Sequence, residues 1–339
     1  MLEKPNIQDH LLIHSLQEGY GKKIQSLSFL PLGADTQTAV YKASTYDHTH
    51  YFVKLRSGRS HLASVAVPNF LADQGFKHFI PTLKTKSGAL HHQINSAWTM
   101  SLHPFIEGHH GYAKQLTPEQ WMSFGLALKS LHTVNLKKSI ADTIPTEAFS
   151  ANWHNELIDL LGQIEPETFS DPISLELVVL FKQKKKIIFK LIETCEKLIP
   201  QLLNERPKFV LCHADIHCWN LLIDESSGAL YIVDWDTLIF APKERDLMFI
   251  GAGLADSNYT ATQEENMFYK GYGTTLIHSD AMTYYRCMRI IEDLVIYCKQ
   301  ILLSTVGEED RKQSLHYVQS NFRPNGAIAM AIGPVHLTQ

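Results

Sequence analysis

The feature that most constrains this chain is a spacing. Asp215 and Asn220 stand five residues apart in His213-Ala214-Asp215-Ile216-His217-Cys218-Trp219-Asn220, and Asp234 follows fourteen residues after Asn220 at the end of a short apolar run. The flanking sequence says how such groups can meet. Phe209-Val210-Leu211-Cys212 has the length and character of a buried strand leading into the segment. Leu221-Leu222-Ile223 and Tyr231-Ile232-Val233 bracket Asp224-Glu225-Ser226-Ser227-Gly228 as the arms of a hairpin. A loop between strand and hairpin then brings Asp215, Asn220 and Asp234 to one place. Either half of the pattern alone says little: a lone Asp-x-x-x-x-Asn arises by chance, and Val233-Asp234-Trp235-Asp236 could be a strand running into a turn.

Together the three groups are what phosphoryl transfer from Mg-ATP requires: one carboxylate to orient an attacking hydroxyl, and one amide plus one carboxylate to hold the metal. On the residues, Asp215 takes the first role, and Asn220 and Asp234 the second. A different chemistry competes for the same segment. In extended chain His213, Asp215 and His217 share a face and could ligate Zn²⁺ or Fe²⁺ in a metal-dependent hydrolase, a reading that leaves Asn220 and Asp234 without a role. The pairs His91-His92 and His109-His110 lie in polar connecting segments and read as solvated.

The segment His213 to Asn220, with Ile232-Val233-Asp234-Trp235-Asp236 and Glu244-Arg245-Asp246-Leu247, resembles the C-terminal-lobe signature of the aminoglycoside phosphotransferase family, relatives of choline kinase and of eukaryotic protein kinases. Leu131-His132, Phe105-Ile106-Glu107-Gly108 and Val53-Lys54-Leu55 extend the similarity over about residues 25 to 300. The resemblance implies an α+β, bilobal protein-kinase-like fold. Residues 1–102 would form a nucleotide-binding lobe of antiparallel sheet plus helix, and residues 103–339 a mostly helical catalytic and substrate-binding lobe with a catalytic hairpin. It implies ATP and Mg²⁺ as cofactors and a small-molecule antibiotic as acceptor, an aminocyclitol or aminoglycoside, with spectinomycin the expected one. A kinase of choline, homoserine or a sugar, or a nucleotide-binding pseudokinase, would keep nearly all of the same residues.

By the same resemblance, Lys54 holds the α- and β-phosphates and the loop with Gly33, Asp35, Thr36 and Thr38 covers them. Leu102, His103 and Ile106 offer backbone groups to the adenine, and His213 and Asp246 brace the catalytic loop. The sequence departs from the pattern at one step. A kinase lysine is normally oriented by a glutamate on the following helix, yet no glutamate occurs between Lys54 and Glu107, and Asp73 is the one acid in that interval. A cationic acceptor calls for carboxylates, and the candidates are Asp236, Glu292 and Asp293. The last two project about 100° apart on one helix, so at most one would face a pocket.

Elsewhere the patterns are ordinary. A short leading helix is expected over 8–22, closed by Gly19. Strands are expected over 24–32, 39–44, 51–55 and 98–102, with helices around 61–74, from the capping box Thr117-Pro118-Glu119-Gln120 to His132, over 174–199 and over 281–304. Lys184-Lys185-Lys186 reads as a solvated helix face and Tyr284-Tyr285 as packing between helices. A net charge of −4 argues against a general nucleic-acid binder. Five cysteines, odd in number and without a C-x-x-C pair, fit a reducing cytoplasm. The opening Met1-Leu2-Glu3-Lys4-Pro5-Asn6 lacks the order of a signal peptide, and no apolar run reaches membrane-spanning length.

Overall fold

A computed structural model of the chain describes residues 2–33, 35–58, 62–164, 169–251, 259–303, 307–324 and 326–333. Two compact units divide the chain, one formed by 1–146 with 209–275, the other by 147–208 with 276–339.

The first unit opens with α1 (Asp9–Tyr20), whose Leu12, Leu16 and Tyr20 recur every four residues and are buried. Gly19 does not close this helix, contrary to the sequence expectation. A side chain there would collide with the His92 ring, so Gly19 marks a close approach. The stop is Gly21, left-handed at φ 68°, whose N–H bonds the Gln17 carbonyl at 3.0 Å.

An antiparallel sheet follows, made of β1 (Ile24–Leu30), β2 (Thr38–Thr45), β3 (His50–Ser57), β4 (His92–Gln93) and β5 (Trp98–Pro104) in the order β1-β2-β3-β5-β4, with α2 (Leu62–Asp73) between β3 and β4 in the chain. Tyr41, Val53, Leu55, Met100 and Leu102 gather with Leu12 and Leu16 in one buried cluster. Each such side chain removed from water stabilises the unit by about 1.5–3 kcal/mol. Because strand side chains alternate, Lys54 and Arg56 must point to the opposite face. There the register sets Lys54 beside Val40 and Ser101, Arg56 beside Thr38 and Thr99, and Phe52 beside His103.

The unit continues with β6 (Gly108–His110), α3 (Pro118–Thr133) and α4 (Lys138–Ala141). Here the chain leaves for α5 (Asn152–Gln163) and α6 (Pro172–Glu205) of the second unit. It returns as β7 (Phe209–Cys212), β8 (Leu221–Asp224), β9 (Leu230–Ile232), β10 (Ile239–Pro242), α7 (Glu244–Leu247) and α8 (Ala261–Tyr272). The expected hairpin is β8–β9, with the Asp224 carboxylate accepting from the N–H groups of Ser226 and Ser227 and Gly228 at φ 70°. β6 adds a third strand to it, so His109 and His110 sit half-buried in a sheet and not in a solvated connector. The Thr117 capping box opens α3 as expected. Gly125 of α3 and Gly271 of α8 let those two backbones meet, since a Cβ at either would run into the other helix's main chain.

The second unit is helical: α5 and α6, then α9 (Ser279–Leu302), α10 (Glu308–Asn321) and α11 (Ala327–Ile332). α6 runs past Pro200, where the sequence suggests an end. The proline forgoes one intrahelical bond, while the next turn is anchored by the fully buried Leu202. Tyr284 and Tyr285 are buried and meet Phe149 at 5.4 and 6.3 Å between ring centres. Lys185 and Lys186 are exposed on α6. Position 304, expected at the end of α9, lies outside the described residues. Among the described residues no helix is long and apolar enough to cross a membrane.

Candidate active site

The loop from His213 to Asn220 is fixed from beneath by Asp246, a fully buried carboxylate on α7. Its oxygens accept from the backbone N–H groups of His213 (2.9 Å) and Ala214 (2.6 Å) and from His132 Nε2 (2.9 Å). The His132 Nδ1 is in turn met by the Tyr272 hydroxyl at 2.8 Å. Ala214 is held left-handed at φ 68°, a conformation that costs a non-glycine residue about 1–2 kcal/mol and needs such a clamp. His213 Nε2 donates to the Val233 carbonyl (3.0 Å), which leaves Nδ1 to accept the Asp215 N–H (3.3 Å). Its carbonyl accepts from Thr237 Oγ1 at 2.8 Å.

These bonds present Asp215 on a part-buried ledge. The Asn220 amide donates to the Asp215 carbonyl (2.8 Å) and to its Oδ2 (3.2 Å), while His217 Nε2 stands 3.4 Å from Oδ1. The Val233 N–H bonds the Asn220 carbonyl at 3.0 Å, so the hairpin ties Asn220 to Asp234, itself left-handed at φ 64°. Asp215, Asn220 and Asp234 are thus joined by short hydrogen-bonded links.

The opposite wall is ionic. Lys54 Nζ lies 2.8 Å from Asp234 Oδ1 and 2.6 Å from Asp236 Oδ2. Arg56 Nη1 lies 2.5 Å from the same Asp236 oxygen and 3.8 Å from Asp35 Oδ2. Burial alone would lower the Lys54 ammonium, but the Asp234 and Asp236 charges raise it above its ordinary value. Burial would likewise raise the Asp236 carboxyl, yet Lys54 and Arg56 bring it down to about 2. His103, on the same face of the sheet, is lowered to about 4 by burial and by the Lys54 charge, so it is neutral at pH 7. The Asp236 carboxylate, a candidate for the acceptor by its sequence position, is here paired with two cations. α2 offers Lys54 no carboxylate near its start, having no acid in its first turn and Asp73 as its last residue.

The loop between β1 and β2 carries Gly33 at φ 83°, and Asp35 folds back on it, accepting from the Gln37 N–H (2.8 Å) and Thr38 Oγ1 (2.7 Å). Thr36 is half-buried beside them, and Ala34 lies outside the described residues. Toward the end of β5 the Leu102 carbonyl accepts from the Leu83 N–H (2.7 Å) and the His103 ring meets Ser101 Oγ (3.1 Å), and just beyond the strand the Phe105 N–H bonds the His50 carbonyl (3.3 Å). Ile106 is half-buried. Glu292 and Asp293 stand on α9 in the second unit, Asp293 paired with Arg289 one turn back at 3.1 Å.

The hydrolase reading does not survive this geometry. His213 spends both ring nitrogens on backbone, and His213, Asp215 and His217 do not gather their ligand atoms. Among the described residues the one close group of such atoms is His132, Cys212 and Asp246, where Asp246 and the His132 ring are already committed. Two features escape a reading of the sequence. Arg56 is signalled only by its position two residues after Lys54 on a strand. Trp219, half exposed and stacked between His110 (3.9 Å) and Tyr112 (5.5 Å), gives no periodic signal.

The chain is similar to known proteins. The phosphotransferase enzyme family matches the chain over residues 28–289. No curated protein matches the chain. Among solved structures, spectinomycin phosphotransferase in complex with ADP and spectinomycin is 32% identical, with a TM-score of 0.86 over 97% of this chain and 99% of that one. The AMP-bound complex of spectinomycin phosphotransferase gives 30% identity and a TM-score of 0.81 over 95% and 97%. Amicoumacin kinase in complex with AMP-PNP and Ca²⁺, at 12% identity and a TM-score of 0.60 over 94% and 95%, shares the fold.

Proposed function

Given that this chain belongs to the phosphotransferase enzyme family, we propose that it transfers the γ-phosphoryl group of ATP to a hydroxyl of an aminocyclitol or aminoglycoside antibiotic, namely spectinomycin, and so confers resistance to it. The chain is a kinase-type phosphotransferase acting on an alcohol. The observation that carries the acceptor is the 32% identity to a spectinomycin-bound enzyme across nearly the whole of both chains.

In this reading Asp215 accepts or orients the proton of the acceptor hydroxyl, its carboxylate aimed by the Asn220 amide and steadied by His217. Asn220 Oδ1 and the half-exposed Asp234 carboxylate are hard oxygen donors, few in number, a set that suits Mg²⁺ sharing its remaining positions with phosphate and water. The metal, when bound, supplies charge neutralisation at the phosphates. Lys54 steadies the α- and β-phosphates beneath the Gly33–Thr38 loop, and the connector from Leu102 to Ile106 runs beside the adenine. His213 and Asp246 do not touch substrate; they set the loop. Residues 1–102 serve the nucleotide and 103–339 the chemistry and the acceptor, with one of Glu292 and Asp293 the carboxylate offered to its amines. The five buried, unpaired cysteines fit a cytoplasmic enzyme.

The test is product chemistry. Incubated with Mg-ATP and a panel of spectinomycin, other aminocyclitols and aminoglycosides, choline, homoserine and sugars, the protein should release ADP with spectinomycin and add one phosphate to its mass. Phosphorylated choline, homoserine or sugar with spectinomycin untouched would overturn the acceptor. ADP binding without any product would identify a pseudokinase.

A further inference from the structure

We propose that Asp236 is the positioning residue for Lys54, taking the part of the absent helix glutamate, and that Arg56 is a second cation held on the same carboxylate against the nucleotide phosphates. The inference rests on the phosphotransferase reading above. It starts from a deficit: the helix after β3 presents no acid to Lys54, its one carboxylate being Asp73 at its far end. What Lys54 has instead are two carboxylates two residues apart, Asp234 and Asp236.

Their exposures separate their roles. The Asp234 side chain is 49% exposed and open to a metal, whereas that of Asp236 is 14% exposed and enclosed by Lys54 and Arg56. When Asp234 turns to a cation, Asp236 still holds Lys54. A carboxylate committed to that task cannot also recognise the acceptor.

Charge counting shows what Arg56 adds. One lysine on one glutamate leaves no net charge; with Asp234 turned to the metal, Lys54 and Arg56 on Asp236 leave a positive charge that the more distant Asp35 only partly offsets. Both side chains project from the same face of β3, in register with Thr38 and Val40 of β2. A guanidinium, with five donors in a planar fork, can bond Asp236 and still offer donors elsewhere. Arg56 also lies 3.8 Å from Asp35, the residue that closes the Gly33–Thr38 loop, so it links that loop to the strand end carrying Asp236.

The experiment titrates Mg-ADP calorimetrically into the full-length protein and four variants: Asp236→Asn, Lys54→Met, their double variant, and Arg56→Gln. Asp236→Asn should weaken Mg-ADP binding at least tenfold. The double variant should bind within twofold of Lys54→Met, because Asp236 acts through Lys54. A carboxylate that merely stabilised the fold would give multiplied losses, which overturns the proposal, as does binding by Asp236→Asn within twofold of the parent. Arg56→Gln leaves the carboxylate in place and keeps the idea testable if Asp236→Asn does not fold. It should weaken binding threefold or more, and unchanged binding removes Arg56 from the site. Absence of Mg-ADP binding by the parent protein would defeat the phosphotransferase reading itself, an outcome distinct from all of these.

Discussion

The loop that carries Asp215 and the strand that carries Lys54 are held in place by different forces. The loop hangs on directional hydrogen bonds from its own backbone to a buried carboxylate, with His132 and Tyr272 completing the chain behind it. The strand side is an assembly of four charges, Lys54, Arg56, Asp234 and Asp236, one of which stands half exposed to solvent. Buried hydrogen bonds permit one geometry and are costly to leave unmade. Ion pairs near the surface can exchange partners and are screened by salt. A phosphotransferase has use for both: the base must stay still, while the groups around the phosphates must let a charged nucleotide in and out.

The sharpest way to break the comparison is at the loop. Asp215→Ala should leave the fold and Mg-ADP binding intact and lower turnover roughly 10²- to 10⁴-fold, the usual contribution of a positioned acid–base group. Near-normal turnover would remove Asp215 from its role. Asp246→Ala attacks the clamp and not the chemistry. It strands two backbone N–H groups and the His132 ring without an acceptor, so urea unfolding should show about 3–5 kcal/mol of lost stability. If its midpoint matches that of Asp215→Ala, the loop is not held by Asp246 and the contrast between the two regions fails.

Much of this can be read from the chain, and what cannot has physical causes. β1, β2, β3, β5, β7, the β8–β9 hairpin and the α3 cap are legible because apolar runs and capping are local signals, whereas the short β4, β6 and β10 are not. The box at Thr260 and Gln263 is the same signal as that at Thr117, but it opens the polar run Ala-Thr-Gln-Glu-Glu-Asn, and without an apolar stripe α8 does not stand out. Gly19 and Gly21 look alike in sequence; which one stops the helix depends on His92, more than seventy residues away in the chain. The candidate site residues Asp215, Asn220 and Asp234 stand out by their spacing alone. The left-handed backbone at Ala214 does not, since alanine seldom adopts that conformation, whereas at Asp234 it falls on a residue type that tolerates it. The partner of Lys54 is the least legible of all: Asp236 is 182 residues distant, and only the folded sheet brings them together.

On the ionic side, Asp234→Ala should weaken Mg-nucleotide binding roughly tenfold to a hundredfold, the scale of one lost charge-assisted contact of about 1.5–3 kcal/mol. The loss should appear with Mg-ADP and shrink when metal is chelated. Equal losses with and without metal would mean that Asp234 serves Lys54 and not the cation. Raising ionic strength should weaken nucleotide binding in the parent protein, yet leave the stability difference between parent and Asp246→Ala nearly constant, which probes the same contrast without a substitution at the metal.

The smallest expected effect is a titration. His103 shares its face of the sheet with Lys54, and its ring is held near pKa 4 by burial and by that charge, against 6.5 for an unperturbed histidine. A base whose folded pKa is depressed binds fewer protons folded than unfolded between the two values, so stability must rise with pH across that interval and fall as pH drops from about 6.5 toward 4. The sign is the same for Asp236, brought to about 2 from 3.8, but its window lies lower, so the two can be told apart. Between pH 7 and pH 5 the histidine alone of this pair contributes, at roughly 1–3 kcal/mol given about 1.4 kcal/mol per unit. Urea unfolding at pH 7, 6 and 5 should therefore show the parent losing stability and His103→Gln losing less. Parallel curves through that range would mean that the His103 ring is protonated as readily in the fold as outside it, and that the positive charge on β3 reaches less far across the sheet than the geometry implies.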